Sequence, residues 1–294
     1  MKNVIRQSRA IVFVLALTAS TSAFAQDTHP TFSGTVTGRG PEMILIPGLL
    51  SSGDVWRSTV QKYQGQYTLH TVTLAGFGGP EPVGAPFLSR VRDEIIGYIR
   101  SQKLDKPVVV GHSLGGFLAF WIAATAPDQV GGVIAVDGVP FLPALGNPKA
   151  TADSMSSQAK QIAAIYASLS PEQLVAQSRI AMTSMITPPA ELETAMTWVA
   201  KSDAKATGIA VAELSSTDLR EQVAAITSPV LLIAALGSIP QPMRPTAEQA
   251  YRAQVARIPG ARVKIAMTRH FIMLDDPAFL FAAMDEFLAA LPRR

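Results

Sequence analysis

Short, uninterrupted apolar runs alternating with longer amphipathic stretches are the feature of this 294-residue chain that most restricts its fold. Met43-Ile-Leu-Ile46 stops at Pro47-Gly48, and Leu69 to Leu74 stops at Ala75-Gly-Phe-Gly-Gly79. Leu88, Val91, Ile95, Ile96 and Ile99 then recur at helical spacing. Pro107-Val-Val-Val110 reads as a strand, Leu114 to Thr125 as an apolar helix, and Gly132-Val-Ile-Ala-Val136 as a further strand. Later come the strand Pro229-Val-Leu-Leu-Ile-Ala234, a helix beginning near Thr246 and ending near Arg257, and the strand Arg262 to Ala266. Asp276 suits the N-cap of a closing helix and Pro277 its first turn. Strands that are apolar on both faces and separated by helices predict a doubly wound, mostly parallel α/β sheet covered on both sides. The weaker Thr31 to Thr37 stretch reads as an edge strand before it.

From Phe141 to Ser216 the alternation breaks. No strand stands out there, and three helical stretches are set apart by Ser-Pro and Pro-Pro pairs: Ser154 to Ser168, Pro171 to Met185, and Pro189 to Lys201. Met155, Met182, Met185, Met196 and Trp198 fall in this segment. Methionine fills irregular apolar space and adapts to varied ligands, so these residues read as the inner face of a helical subdomain or the roof of a pocket. The predicted organisation is a leader over 1–25, a first core part over 26–140, an all-helical cap over 141–216 and a second core part over 217–294.

The net charge of +3 is misleading. Lys2, Arg6 and Arg9 account for the whole excess, and beyond residue 25 the 22 acids are balanced. Later basic groupings are no longer than Arg90 with Arg92, too sparse for a phosphate-binding surface, so no nucleic-acid partner is expected. The basic start leads into an apolar run, Ala10 to Ala19, and then into Ser22-Ala-Phe-Ala-Gln26. That is the layout of a secretory signal peptide cleaved after Ala25. A run of about ten residues is half of what spans a bilayer, so no stable membrane anchor is expected and the mature chain is expected in the periplasm or medium. The absence of Cys excludes a disulfide scaffold, a thiolate zinc site, a cysteine nucleophile and a Cys-linked lipid.

Directly after the Val108 to Val110 strand comes Gly111-His-Ser-Leu-Gly-Gly116, and then a helix. G-x-S-x-G alone is a weak string, but between a buried strand and a helix it is specific. The tight turn lifts the serine clear of the sheet, and a side chain at either glycine would strike the neighbouring turn. The helix dipole beginning at Leu114 also favours negative charge developing at Ser113. A serine hydroxyl needs a base to become a useful nucleophile. Of the four histidines, His29 falls in a frayed amino terminus, His70 at an exposed strand entrance, and His112 beside the serine but directed away from it. His270, on the loop after the last strand, stands at the sheet edge where open α/β sheets place their sites.

On these residues the chain resembles the α/β-hydrolase-fold serine hydrolases, over about residues 41–140 and 217–294. The family's oxyanion loop usually reads His-Gly-x with a Trp downstream, matched here by Pro47-Gly48-Leu49 and Trp56. The resemblance implies an oxyanion hole made by the backbone N–H groups of Leu49 and Leu114. Many members carry the acid after the seventh strand, but here residues 236–247 contain none and the first acid is Glu248. A minority carry it one strand earlier, which matches Ala135-Val-Asp-Gly138 and favours Asp137 over Glu248. Asp275 or Asp276 reads as the cap of the final helix.

The expected activity is that of an exported serine hydrolase acting on carboxylic esters of small to medium apolar substrates. Ser113, His270 and Asp137 are its expected triad, with no cofactor or metal implied. Lactonase, amidase or aminopeptidase, carbon–carbon bond hydrolase and cofactor-free perhydrolase stay open, because one triad serves them all. An aminopeptidase would want acids in the cap, where Glu172, Glu191 and Glu193 occupy polar helix positions. A non-catalytic binding module on the same fold is the rival from another class. Oligomeric state is left open.

Overall fold

The computed structural model describes the backbone of Ser22–Ala23 and residues 29–292. The rest of the expected leader, with its cleavage site, lies outside the described residues. Eight strands form one sheet: β1 (Ser22–Ala23), β2 (Phe32–Gly38), β3 (Glu42–Ile46), β4 (Thr68–Leu74), β5 (Val108–His112), β6 (Gly132–Val136), β7 (Val230–Ala235) and β8 (Arg262–Ala266). Their spatial order is β1-β2-β4-β3-β5-β6-β7-β8. From β4 to β8 all pairings are parallel, while β2 is antiparallel to β4 and to β1. The predicted α/β sheet is therefore present, and the stretch read as an edge strand is β2, paired with β4 from Phe32 to Gly38 and on its outer side only through Thr35 and Val36 to Ala23 and Ser22.

Helices cover both faces: α1 (Arg57–Tyr63), α2 (Leu88–Ser101), α3 (Leu114–Thr125), α8 (Arg244–Gln254), α9 (Ile272–Asp275) and α10 (Pro277–Ala289). β5 and β6 are buried at every residue, as continuous Val and Ile runs between helical layers must be. α3 is apolar nearly all round because it packs on β5 and β6 and is covered in turn by α2. The last strand, β8, keeps Arg262 exposed, and its Lys264 pairs with Glu286 of α10, charges that keep an edge from pairing with another chain.

Between β6 and β7 stand four helices: α4 (Ala152–Ala167), α5 (Pro171–Met185), α6 (Pro189–Val199) and α7 (Ala204–Ser216). Thr151 and Ser170 cap α4 and α5 through reciprocal capping boxes, the second with Pro171 in the first turn. α7 carries no clear apolar stripe in sequence, which is why the three predicted helices omit it. Its Gly208 shows what holds it: a Cβ there would come within 2.6 Å of Tyr166 Cβ on α4, so the two helices cross almost backbone to backbone.

Two histidines depart from expectation. His70 is not exposed but 4% accessible, with Nε2 2.7 Å from the Glu42 carboxylate and Nδ1 2.7 Å from the Tyr98 hydroxyl of α2. α2 lies over β4 at this point and removes the ring from water. His29 is likewise buried, stacked on Phe32 at 4.8 Å and edge-on to Tyr98. Its neighbour Thr31 is tied to Glu94 of α2 through both its amide and its hydroxyl.

Candidate active site

The strand order reverses beside β3: the chain steps from β3 out to β4 and then returns to place β5 on β3's other side. Open α/β sheets bind ligands at the carboxyl ends of the strands flanking such a switch. Gly48 follows one of these strands and Ser113 follows the other.

Ser113 occupies the turn between β5 and α3 with φ +53° and ψ −116°. A non-glycine residue there costs on the order of 1–3 kcal/mol and persists only where its surroundings dictate it. Here the Ser113 amide donates to Val136 O at 2.9 Å, and its carbonyl accepts from Phe117 N at 3.0 Å. A Cβ at Gly111 would fall 2.0 Å from Gly115 O, and one at Gly115 would fall 2.3 Å from Ile46 O. No other residue fits either place, and the serine is left facing the cavity above the sheet.

In the sheet register His112 lies beside Val136, and Val136 beside Ile233, so the residues after β5 and β6 emerge as neighbours. The first residue after β6 is Asp137, also in the left-handed region at φ +50° and anchored by its amide to Ile233 O at 2.7 Å. Its Oδ2 accepts from Nδ1 of His270 at 2.6 Å. Its Oδ1 accepts from the Ala235 amide at 2.9 Å and from the Tyr251 hydroxyl at 2.7 Å. The carboxylate is buried, while a quarter of the imidazole remains exposed. Because a carboxylate only accepts, Nδ1 carries the proton, and Nε2 of the neutral ring presents its lone pair. Ser113 and His270 line the same cavity.

The loop carrying His270 is held by cap and core together. The Arg269 guanidinium donates to Thr183 O and Ile186 O at the carboxyl end of α5, and Phe271 N donates to Met185 O. Asp275 accepts from Thr187 N, Thr187 Oγ1 and Arg269 N, so it clasps loop to cap instead of capping the final helix. Asp276 alone takes the N-cap role, accepting from Phe279 N. His112, fully enclosed, donates from Nε2 to His270 O at 3.2 Å, and its Nδ1 has no partner among the described residues. Burial, and then electrostatic competition with the adjacent His270 ring, hold its pKa well below the usual histidine range, so it stays neutral.

Glu248 lies elsewhere, paired with Arg252 along the outer side of α8 at 2.7 Å. The structure thus brings Asp137 to His270 and leaves Glu248 half-buried on α8 beside Arg252. Leu49 lines the cavity, and a Cβ on the preceding Gly48 would lie 3.1 Å from Ser113 Cβ, so the β3 loop presses directly on the serine turn. The Leu114 amide, in the first turn of α3, has no intrahelical acceptor. Tyr251 was not legible in sequence: one aromatic in an otherwise polar helix carries no local signal of a partner 114 positions away.

The cavity holds about 640 Å³ between the strand ends and the cap. Tyr166, Met182, Met185 and Leu214 form apolar wall on the cap side, with Gln177 and Ser178 as uncharged polar groups. Met155 and Met196 turn elsewhere into packed cores. Among the described residues no Lys or Arg lines the cavity, and no acid except Asp137. Glu191 pairs with Arg57, Glu193 with Arg179, and Glu172 accepts from Ser170 Oγ; none of the three faces the cavity.

A profile of the alpha/beta hydrolase family matches residues 43–283. The chain belongs to the alpha/beta hydrolase family. Over 207 residues this hydrolase is 30% identical to a pimeloyl-[acyl-carrier protein] methyl ester esterase of Aliivibrio salmonicida, covering 66% of this chain and 72% of that relative. A hydrolase from Pseudomonas aeruginosa superposes with a TM-score of 0.72 at 18% identity, covering 94% of this chain and 100% of that one. A thermophilic esterase from Thermogutta terrifontis gives 0.70 at 18% identity, covering 87% and 94%. At that identity the two structural likenesses speak to the fold.

Proposed function

We propose that this hydrolase is an exported serine esterase that cleaves uncharged carboxylic esters of small to medium size through an acyl-enzyme. One observation carries the reading: Asp137 Oδ2 and His270 Nδ1 meet at 2.6 Å beside a cavity whose floor is the strained Ser113. In the mechanism, Ser113 Oγ attacks the acyl carbon while its proton passes to Nε2 of His270. The carbonyl oxygen becomes an oxyanion, which the Leu49 and Leu114 amides stabilise as fixed donors. Asp137 holds the imidazole tautomer and stabilises the imidazolium without taking the proton itself. As the tetrahedral carbon collapses, the ester C–O bond breaks and the departing alkoxide takes the proton from Nε2. Water then attacks the Ser113 ester, His270 accepting its proton and returning it to Ser113 as the carboxylic acid leaves.

The ester bond is taken from the relatives, and the uncharged substrate from the cavity wall. Bringing a carboxylate or an ammonium group into this wall would strip its water with no ion to replace it. The cap acids are paired outside the cavity, which argues against an aminopeptidase. Ser113→Ala should abolish fluorophosphonate labelling and lower ester turnover by about 10⁶-fold, the scale of triad knockouts elsewhere. Labelling retained in that variant would place the nucleophile elsewhere. Export rests on the composition of Met1 to Ala25. Protein purified from a native-like host should begin near Gln26, and an intact Met1 by mass spectrometry would remove that part of the reading.

A further inference from the structure

The hydroxyl of Tyr251 lies 2.7 Å from Oδ1 of Asp137, and its ring forms part of the cavity wall. Burial, and then the charge of Asp137, push the phenol's pKa well above its ordinary range, so it is a proton donor at every working pH. The carboxylate is thereby divided. Oδ1 takes two donors, Tyr251 Oη and Ala235 N, while Oδ2 is left to the imidazole alone. The Ala235 amide holds Oδ1 from β7, and the phenol adds a second donor to the same oxygen from α8. Two donors on one oxygen fix the plane.

We propose that Tyr251 is a positioning residue of the relay, its phenol holding the Asp137 carboxylate so that Oδ2 faces Nδ1 of His270. The proposal rests on the triad reading above. Its further consequence is electronic: the phenol draws negative charge towards Oδ1 and so moderates how strongly Asp137 stabilises the imidazolium. The other groups facing His270 do not compete for that role. His112 of β5 remains neutral and uses its Nε2 on the His270 carbonyl. Arg269 on the same loop is turned to the carbonyls of α5, and Asp275 of α9 is occupied by Thr187 and the Arg269 amide. Tyr166 of α4 lines the cavity opposite.

The test is Tyr251→Phe in the full chain, with kcat and KM for an activated neutral ester measured from pH 5 to 9. The ring still fills its place, so the fold should persist. Loss of a hydrogen bond to a charged acceptor should lower kcat by about tenfold, with KM little changed. The acidic limb of kcat/KM should move up by about half a pH unit, because an undiluted Asp137 charge stabilises the imidazolium more. The low-field proton resonance of the His270–Asp137 hydrogen bond should move as well. In an Asp137→Asn background the same change should add little further loss, since the group it positions is gone. A higher KM with unchanged kcat, an unmoved acidic limb, or additive losses in the double variant would each show Tyr251 to be a wall of the cavity only. An active Asp137→Asn single variant would instead remove the triad reading beneath it, so the two failures are distinguishable.

Discussion

β6 and β7 lie side by side, run the same way and end at the same rim of the sheet, yet they equip that rim differently. β6 ends in Asp137, whose carboxylate meets His270. The chain after β7 runs from Leu236 to Ala247 without an acid, and the donors to the same carboxylate come from either side of that stretch: the amide of Ala235, the last residue of β7, and the hydroxyl of Tyr251 on α8. Adjacent strands are about 4.8 Å apart, so a short side chain on either end can span to the base. The requirement is therefore an oxygen at Nδ1, not an acid on one prescribed strand. Here the carboxylate stands at the end of β6, and the end of β7 together with α8 supplies two of its hydrogen-bond donors.

The largest expected effect is at Asp137. Asp137→Asn should keep the fold and lower kcat by up to ~10⁴-fold, because an amide favours the wrong imidazole tautomer and cannot stabilise the imidazolium. Steady-state kinetics on one activated ester, with melting curves as a control, measure it. An unimpaired variant would return the search to the far side of β7.

A smaller effect sharpens the same contrast. Each strand end is followed by a close-packed glycine. A Cβ at Gly138 would lie 2.3 Å from Ser113 O, and one at Gly237 would lie 2.4 Å from Thr268 O. Alanine at either should destabilise the protein by about 3 kcal/mol in urea titrations, as overpacking does in rigid surroundings. Gly138→Ala disturbs the serine turn, so fluorophosphonate labelling should slow even at temperatures where it remains folded. A fully stable and rapidly labelled Gly138→Ala would mean the β6 end is looser than its contacts indicate.

The smallest expected effect is on Glu248. Glu248→Gln removes an exposed pair with Arg252, of the kind that contributes about 0.3–0.5 kcal/mol, and turnover should stay within about twofold of the parent. A crippled Glu248→Gln beside an active Asp137→Asn would reverse the comparison outright.

Much of this was legible without a structure where the constraint is local. The Gly111 and Gly115 positions declare the serine turn because the clash that excludes any side chain involves residues close in the chain or one strand away. The apolar runs of β5 and β6 declare a covered sheet because no solvent-facing strand tolerates them. The place of His270 after the last strand is likewise local, and the structure sets its Nδ1 2.6 Å from Asp137 Oδ2. The burial of His70 and His29 is not local: both rings pack against Tyr98 of α2, with Glu42 on one and Phe32 on the other. α7 escaped notice because it is built from small residues and a glycine, whose value lies in how closely α4 can approach.

The alternation of strands and helices, the serine turn and the loop after the last strand can be read from the residues alone, since each depends on backbone sterics and periodicity within a few residues. The contact of Asp137 rather than Glu248 with His270, the Tyr251 hydrogen bond to Asp137, and the clasp of Asp275 on Thr187 arise only in the folded chain. These are hydrogen bonds between side chains on separate elements, with separations of 133 positions for His270 to Asp137 and 114 for Tyr251 to Asp137. Their directions depend on strand register and helix placement, and no local pattern of residue types encodes either.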